Sequence, residues 1–197
     1  MNETLGPGAT LERWLEAIAA PTAAPGGGAA AGLGLALAAA LVEMVAGLTL
    51  RRQAGPSELE TRHAIHRAAE LRGEAVTLAR ADASAFAAFE RALALPKGTT
   101  DERTIRDQAK RAAYREGARV QHEVLQRCVE TARLASGLSH WGLASARGDA
   151  ATALHLARAG ARSAEASVRG NLAGEGDDAS RGTIAAAGAL LAEVEAL

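Results

Sequence analysis

The chain has few means of locking a fold chemically. Cysteine occurs once, at Cys128, so no internal disulfide can form. A reducing compartment suits such a chain, and a cytoplasmic location is expected. Aromatic residues make up only 3% of the 197 positions. A core almost without rings has to be assembled from Ala, Leu and Val. Small side chains let helices approach closely but bury little area each. Such a core gains from a subunit interface, so an oligomer is expected. Charge of one sign is missing as well. Lys and Arg number 22 against 23 Asp and Glu, leaving a net charge of −1. That balance gives no electrostatic case for nucleic acid or for an anionic membrane surface, and neither is expected as a partner. No basic and then apolar leader opens the chain, whose first 24 residues carry Glu3, Glu12 and Glu16. No stretch alternates apolar and polar residues for long enough to make a strand.

Several chemical signatures are absent too. There is no Gly-x-x-x-x-Gly-Lys-Ser/Thr, and Gly32-Leu33-Gly34 lacks the third glycine of a dinucleotide turn and follows no strand. There is no Gly-x-Ser-x-Gly nucleophile turn. Cys128 falls on an apolar helical stripe and reads as a small buried hydrophobe. Glu60 and His63 have the i, i+3 spacing used in carboxylate-bridged di-metal bundles, but such a site needs a second copy, and no other His follows a Glu at that spacing. His63 and His66 also stand three apart, yet two imidazoles without a third ligand make a weak site. No metal is therefore expected.

What is present is helical punctuation. Residues 1–9 read as a loose tail. Thr10 can cap a short helix to about Ala20, with Leu11, Trp14, Leu15 and Ile18 on one face. Pro21 to Gly28 reads as a loop. A second helix runs from about Ala29 to Gln53, and Gly55-Pro56 breaks it. Ser57-Glu58-Leu59-Glu60 is a capping box that opens a run lasting to about Leu95, where Pro96 stops it. Its apolar stripe reads Leu59, His66, Ala69, Val76, Ala83, Phe86 and Leu93. Thr99-Thr100-Asp101-Glu102 is a second capping box, and the next helix reaches about Ser136. Its inner stripe reads Ile105, Ala109, Ala112, Val120, Val124 and Cys128. Ser139 to Gly148 is irregular. Asp149 caps a helix to about Gly170, Asn171 to Asp178 is a turn, and the last helix ends at Leu197. The expected fold is all-α, a bundle of long helices in a single domain spanning residues 1–197.

Two stretches invite chemistry. Pro25-Gly26-Gly27-Gly28 runs into Ala29–Leu50, almost wholly small and apolar, with Glu43 as a candidate buried interface acid. Glycines can adopt positive φ and let another group approach the backbone. A helix N-terminus adds unpaired N–H groups and a positive dipole end, a seat for an anion or a polar heterocycle. Ala29–Leu50 is also long enough to span a membrane. Its Ala and Gly residues drive insertion weakly and Glu43 lies inside it, so a fully buried helix is the expected reading. The second stretch surrounds Asp82, the only acid from Ala75 to Phe89. A carboxylate on a packed face loses solvation, its pKa rises, and it becomes usable as a general acid or base near neutrality. The plain alternative is that Asp82 points outward beside Arg80 and Ser84.

Taken together, these pieces resemble the cyclodeaminase/cyclohydrolase family of folate enzymes. The matching residues are Ala24-Pro25-Gly26-Gly27-Gly28-Ala29-Ala30, then Ala39 to Thr49 with its Glu43, then the basic pair Arg51-Arg52. Asp82-Ala83-Ser84-Ala85-Phe86 and Leu95-Pro96-Lys97-Gly98-Thr99 follow, and later Gly142, Asp149 and Asn171 at matching spacing. The resemblance implies a dimeric all-α fold with a folate site lined by long helices. It implies that Asp82 is the catalytic aspartate. It places Pro25, Gly26, Gly27, Gly28, Asp149 and Asn171 in the substrate pocket, with Arg51, Arg52 or Lys97 meeting the anionic glutamate tail. The substrate would be a tetrahydrofolate derivative, and no cofactor is implied. Leu143 stands where the family often has Asn, and Ser167 where an Asn is common. The contrasting expectation is a non-catalytic helical oligomer or folate-binding module that keeps the fold.

Overall fold

The computed structural model describes residues 8–22 and 24–197, and the first seven positions of the expected tail lie outside them. Six α-helices and one short 3-10 turn make up the secondary structure, with no strand among the described residues. They are α1 (Leu11–Ala19), α2 (Gly27–Arg51), α3 (Glu58–Leu93), α4 (Thr100–Trp141), α5 (Arg147–Leu172) and α6 (Asp178–Ala196). The fold is all-α, as expected.

Local chemistry explains most of the helix starts. Thr10 Oγ1 accepts the Arg13 N–H at 3.2 Å. Thr99 and Glu102 form a reciprocal capping box. Ser57 forms only half of one: its hydroxyl accepts the Glu60 N–H, while the Glu60 carboxylate accepts from the same hydroxyl rather than from the backbone. Asp177 caps α6 through the Ser180 N–H. Asp149 is not a cap, contrary to expectation. Helix α5 begins three residues earlier than expected, at Arg147 behind Ala146, which places Asp149 inside the first turn. There it still faces the positive end of the helix dipole.

Helices α2, α3, α4 and α5 run alternately up and down and pack as a ring, α2 on α3, α3 on α4, α4 on α5 and α5 on α2. Helix α6 leans against α5 and α4. Trp14 anchors α1 against Ala29 and Ala79. The core is built mainly from Ala, Val and Leu, as the composition requires. Contacts are close enough that a Cβ on Gly32 would come within 2.9 Å of the Ala79 Cβ. Arg67 ties α3 to α4 through Glu130, at 2.6 Å, and also reaches Glu74 at 3.0 Å.

The hairpin of α3 and α4 is longer than its neighbours, at 36 and 42 residues against 25 in α2. Its turn end therefore projects past the start of α2, which revises both expected stripes. Leu93 and Ile105, near that end, are exposed. Leu59 is 78% exposed, and the buried face of α3 is instead Thr61, Ala64, Ala68, Leu71, Ala75 and Leu78. On α4 the stripe holds at Val120, Val124 and Cys128 but not at Ala112. Helix α2 is also not fully buried. It is long and apolar enough to cross a membrane by length and composition. Here one side packs on α3 and α5, while Leu37 (50%) and Met44 (42%) stay exposed. Glu43 is half-buried, not buried within this chain, and accepts from Arg72 Nε on α3 at 2.9 Å.

Candidate active site

The glycines do not form the positive-φ turn that their sequence suggests. No described glycine has positive φ, and α2 already includes Gly27 and Gly28 behind an N-cap at Gly26. Their role is close approach. A Cβ on Gly28 would lie 2.2 Å from Asp82 Oδ1. Asp82 thus points inward, against the start of α2, rather than outward beside Arg80.

Gln121, fully buried on α4, donates its Nε2–H to Asp82 Oδ1 at 2.6 Å. Burial is the largest influence on the Asp82 carboxyl and raises its pKa above the ordinary aspartate range. The Gln121 amide and the Ala29 backbone N–H pull it back in part. The result is a carboxyl whose proton is less firmly excluded at neutral pH than that of a surface aspartate.

Asp82 opens into a cavity of about 310 Å³. Gly26, Gly27 and Gly28 form one wall, Phe86 and Phe89 of α3 another, Tyr114 and Gly117 of α4 a third, and Ser167 and Asn171 of α5 a fourth. Both phenylalanines and the one tyrosine of the chain face this space. The Phe86 and Phe89 rings lie 5.8 Å apart, and Phe89 and Tyr114 4.7 Å apart. Three of the few rings of the chain thus stand around a half-buried carboxyl, an arrangement that can hold a flat ligand. Gly117 makes room for Asn171, whose Nδ2 would be 2.9 Å from a Cβ there. Asn171 itself lies in the last turn of α5, not in the turn that follows it. The Ser167 hydroxyl is spent on the Ser163 carbonyl, at 2.9 Å.

Asp82, Gly26, Gly27, Gly28 and Asn171 are therefore brought together. Other candidates are not. Pro25 precedes the N-cap and does not line the cavity. Arg51 and Arg52 end the same helix that Gly27 begins, about 36 Å away at 1.5 Å per residue. Asp149 stands about 27 Å along α5 from Ser167 by the same measure. Lys97 is exposed in the turn after α3, beyond Phe89. Leu143 is at the far end with Asp149, where its N–H binds the Thr49 hydroxyl at 2.9 Å. Its departure from the family pattern thus removes no polar group from this cavity. Gln121, Tyr114 and Phe89 carry no local sequence signal beyond the i, i+4 spacing that sets Gly117 and Gln121 on one helix face. Cys128 is buried with its thiol pushed up to about 12, as suits a packing residue. Among the described residues no three His, Cys, Asp or Glu side chains converge as a metal site would need.

The fold and cavity define a helical-bundle protein with a desolvated carboxyl set beside an aromatic slot. Residues 10–189 match the family model described as formiminotransferase-cyclodeaminase. The chain is 32% identical over 171 residues to a methenyltetrahydrofolate cyclohydrolase of Methylorubrum extorquens, covering 86% of this chain and 82% of that one. It is 32% identical over 170 residues to the formimidoyltransferase-cyclodeaminase of Mus musculus, of which it spans 31%. The crystal structure of formiminotetrahydrofolate cyclodeaminase from Thermotoga maritima superposes with a TM-score of 0.82 at 25% identity, covering 95% of this chain and 90% of that one. The chain belongs to the formiminotransferase-cyclodeaminase family.

Proposed function

We propose that this protein acts on the one-carbon unit held between N5 and N10 of tetrahydrofolate, as a 5,10-methenyltetrahydrofolate cyclohydrolase or a formiminotetrahydrofolate cyclodeaminase. The observation that carries the reading is the inward, desolvated Asp82 at the mouth of a cavity walled by Phe86, Phe89 and Tyr114. A pterin is flat and polar at its edges, and it suits those rings together with the Gly27 and Gly28 N–H groups at the start of α2. The two reactions share a demand. In the first, water adds to the methenyl carbon and the C–N5 bond then breaks. In the second, N10 adds to the formimino carbon and ammonia leaves. Each passes through a tetrahedral carbon flanked by nitrogens and requires one proton to be taken up and returned. A single positioned carboxylate, Asp82, performs both transfers as general base and then general acid. The chemistry needs no metal and no redox cofactor.

The reading includes a homodimer in the cytoplasm. The exposed apolar side of α2, with Leu37 and Met44 at its centre, is the surface a second copy would cover. A two-fold axis through the middle of α2 pairs the two helices antiparallel. That arrangement lays the Arg51–Arg52 end of one chain over the glycine end of the other. By this route those cations would reach a folate's glutamate tail, which their own chain holds too far away.

The test is the absorbance of 5,10-methenyltetrahydrofolate with purified protein, set against spontaneous hydrolysis and an Asp82→Asn control. Accelerated loss that vanishes in the control supports the cyclohydrolase. If the methenyl compound is untouched but forms from 5-formiminotetrahydrofolate, the activity is the cyclodeaminase. Silence with both substrates rejects the proposal in favour of a binding module.

A further inference from the structure

Gln121 sits 39 residues from Asp82 in the chain and meets it at 2.6 Å, amide nitrogen to carboxylate oxygen. The residue is fully buried, and its amide oxygen has neither solvent nor a hydrogen-bond partner. A buried acceptor left unpaired is destabilising. Leucine or methionine would serve the core better at this position, so packing alone does not account for a carboxamide. Space around it is closed as well: a Cβ on Gly28 would lie 2.4 Å from its Nε2. The start of α2 therefore clamps the Gln121–Asp82 pair from above.

We propose that Gln121 is the positioning residue that holds Asp82 in place through both halves of its proton cycle. The inference rests on the reading that Asp82 moves a proton in turnover. With Asp82 ionised, the Nε2–H group donates to Oδ1 and fixes the carboxylate. When the attacking water adds to the methenyl carbon, its O–H bond breaks and the proton joins the carboxylate. The proton takes the other carboxyl oxygen, so Oδ1 stays an acceptor and keeps its bond from the Gln121 Nε2–H. As the C–N5 bond breaks, that proton passes to N5 and the carboxylate reforms. A donor fixed on one oxygen leaves the other oxygen to the substrate in both states, and a carboxamide stands here for that donor at the cost of its own unpartnered oxygen.

Few other charges face this pair. Tyr114 on α4 lines the same cavity, α2 and α5 bring glycines, Ser167 and Asn171, and Arg80 stands two residues away on α3. Titration of the pair can therefore be read without a competing carboxylate on the cavity wall.

The experiment is a carboxyl-carbon NMR titration of protein labelled with [13C]aspartate, with the Asp82 signal assigned by its absence in Asp82→Asn. Wild type, Gln121→Met and Gln121→Glu are compared, each with its pH–rate profile. In Gln121→Met, Asp82 is expected to titrate about one pH unit higher, because the donor to its charged form is gone. Its kcat is expected to fall about 10²-fold at little change in KM. In Gln121→Glu the two carboxyls share one proton and titrate in two steps. Activity then survives only between those steps and gains a new alkaline limb that a merely structural residue would not create. An unshifted Asp82 titration in folded Gln121→Met overturns the proposal. If Gln121→Met does not fold, the absence of a second step in Gln121→Glu overturns it instead. Should wild type turn over neither folate while the titration shifts as expected, the folate reading fails and the pairing stands.

Discussion

Gly28 and Asp82 occupy each other's space: a Cβ on the glycine would stand 2.2 Å from the carboxylate oxygen. No side chain fits there unless Asp82 moves. Alanine at 28 should favour the helix by up to about 1 kcal/mol on propensity alone. Any net loss of stability therefore measures the clash. Gly28→Ala is expected to lower kcat by about 10²-fold, the cost of displacing a reacting group by roughly 1 Å. Gly73→Ala, exposed on α3 with nothing within 4 Å of the new Cβ, is the contrast. It should raise stability by about 0.5–1 kcal/mol and leave turnover alone. Urea unfolding and steady-state rates on both variants check the pair, and full activity in Gly28→Ala would show that Asp82 is not where the chemistry happens.

The raised pKa of Asp82 has a thermodynamic consequence. Between the ordinary aspartate value and the raised one, the folded chain holds a proton that the unfolded chain has already shed. Protons bound in the folded state exceed those in the unfolded state, so stability falls as pH rises through that window and stays lower above it. Asparagine at 82 takes no charge and can still accept from Gln121. Asp82→Asn is therefore expected to unfold at higher urea than wild type above the window and equally below it, while losing about 10²–10⁴-fold in rate. A series of unfolding curves from about pH 3 to 8 tests the sign. A wild type that gains on the variant as pH rises contradicts the assignment. A gain in stability with a loss of rate is the usual mark of a group kept for function.

The parts of this fold legible in the sequence were those written in local chemistry. Thr10, Ser57 and Thr99 start their helices because a hydroxyl three residues before a free N–H needs no tertiary help. Which face of α3 turns inward was not legible, because Ala occurs on every side of it and the inner stripe is decided by where α2 and α4 end. In the site, Asp82 stood out as a lone acid in an apolar segment. Gln121 did not, since its meaning depends on the register of α3 against α4 across 39 residues. Arg51 and Asp149 belong to a matching motif, yet helix length alone carries both to the other end of the bundle.

The three rings of the cavity make a separable prediction. Phe89 lies between Phe86 and Tyr114, 4.7 Å from the latter. Replacing it with leucine keeps most of the apolar volume but removes the stacking face, worth about 0.5–1.5 kcal/mol. Phe89→Leu should raise KM by about two- to tenfold with little change in kcat. Tyr114→Phe keeps the ring and is expected to change KM less. The comparison is made with the same tetrahydrofolate substrate at fixed pH. A fall in kcat at constant KM would instead place Phe89 in the chemical step.

The exposed side of α2 carries the last prediction. Leu37 and Met44 lie seven residues apart, two helical turns, on a face that the rest of the chain leaves half open. Glutamate at 37 or lysine at 44 would place a charge inside any interface formed there, at a cost of several kcal/mol. Wild type is expected to sediment as a dimer, and Leu37→Glu or Met44→Lys alone as a monomer with an unchanged helical spectrum. The antiparallel pairing can then be tested by complementation. Asp82→Asn and a double Arg51→Ser, Arg52→Ser variant should each be impaired alone. Unfolded together in equal amounts and refolded, half of their dimers pair unlike chains, and each such dimer has one site with an intact Asp82 and the arginines of the other chain. Recovery of roughly a quarter of wild-type activity follows from that statistical mixing. No recovery, with mixed dimers demonstrably formed, would mean that the arginines do not serve the pocket of a neighbouring chain.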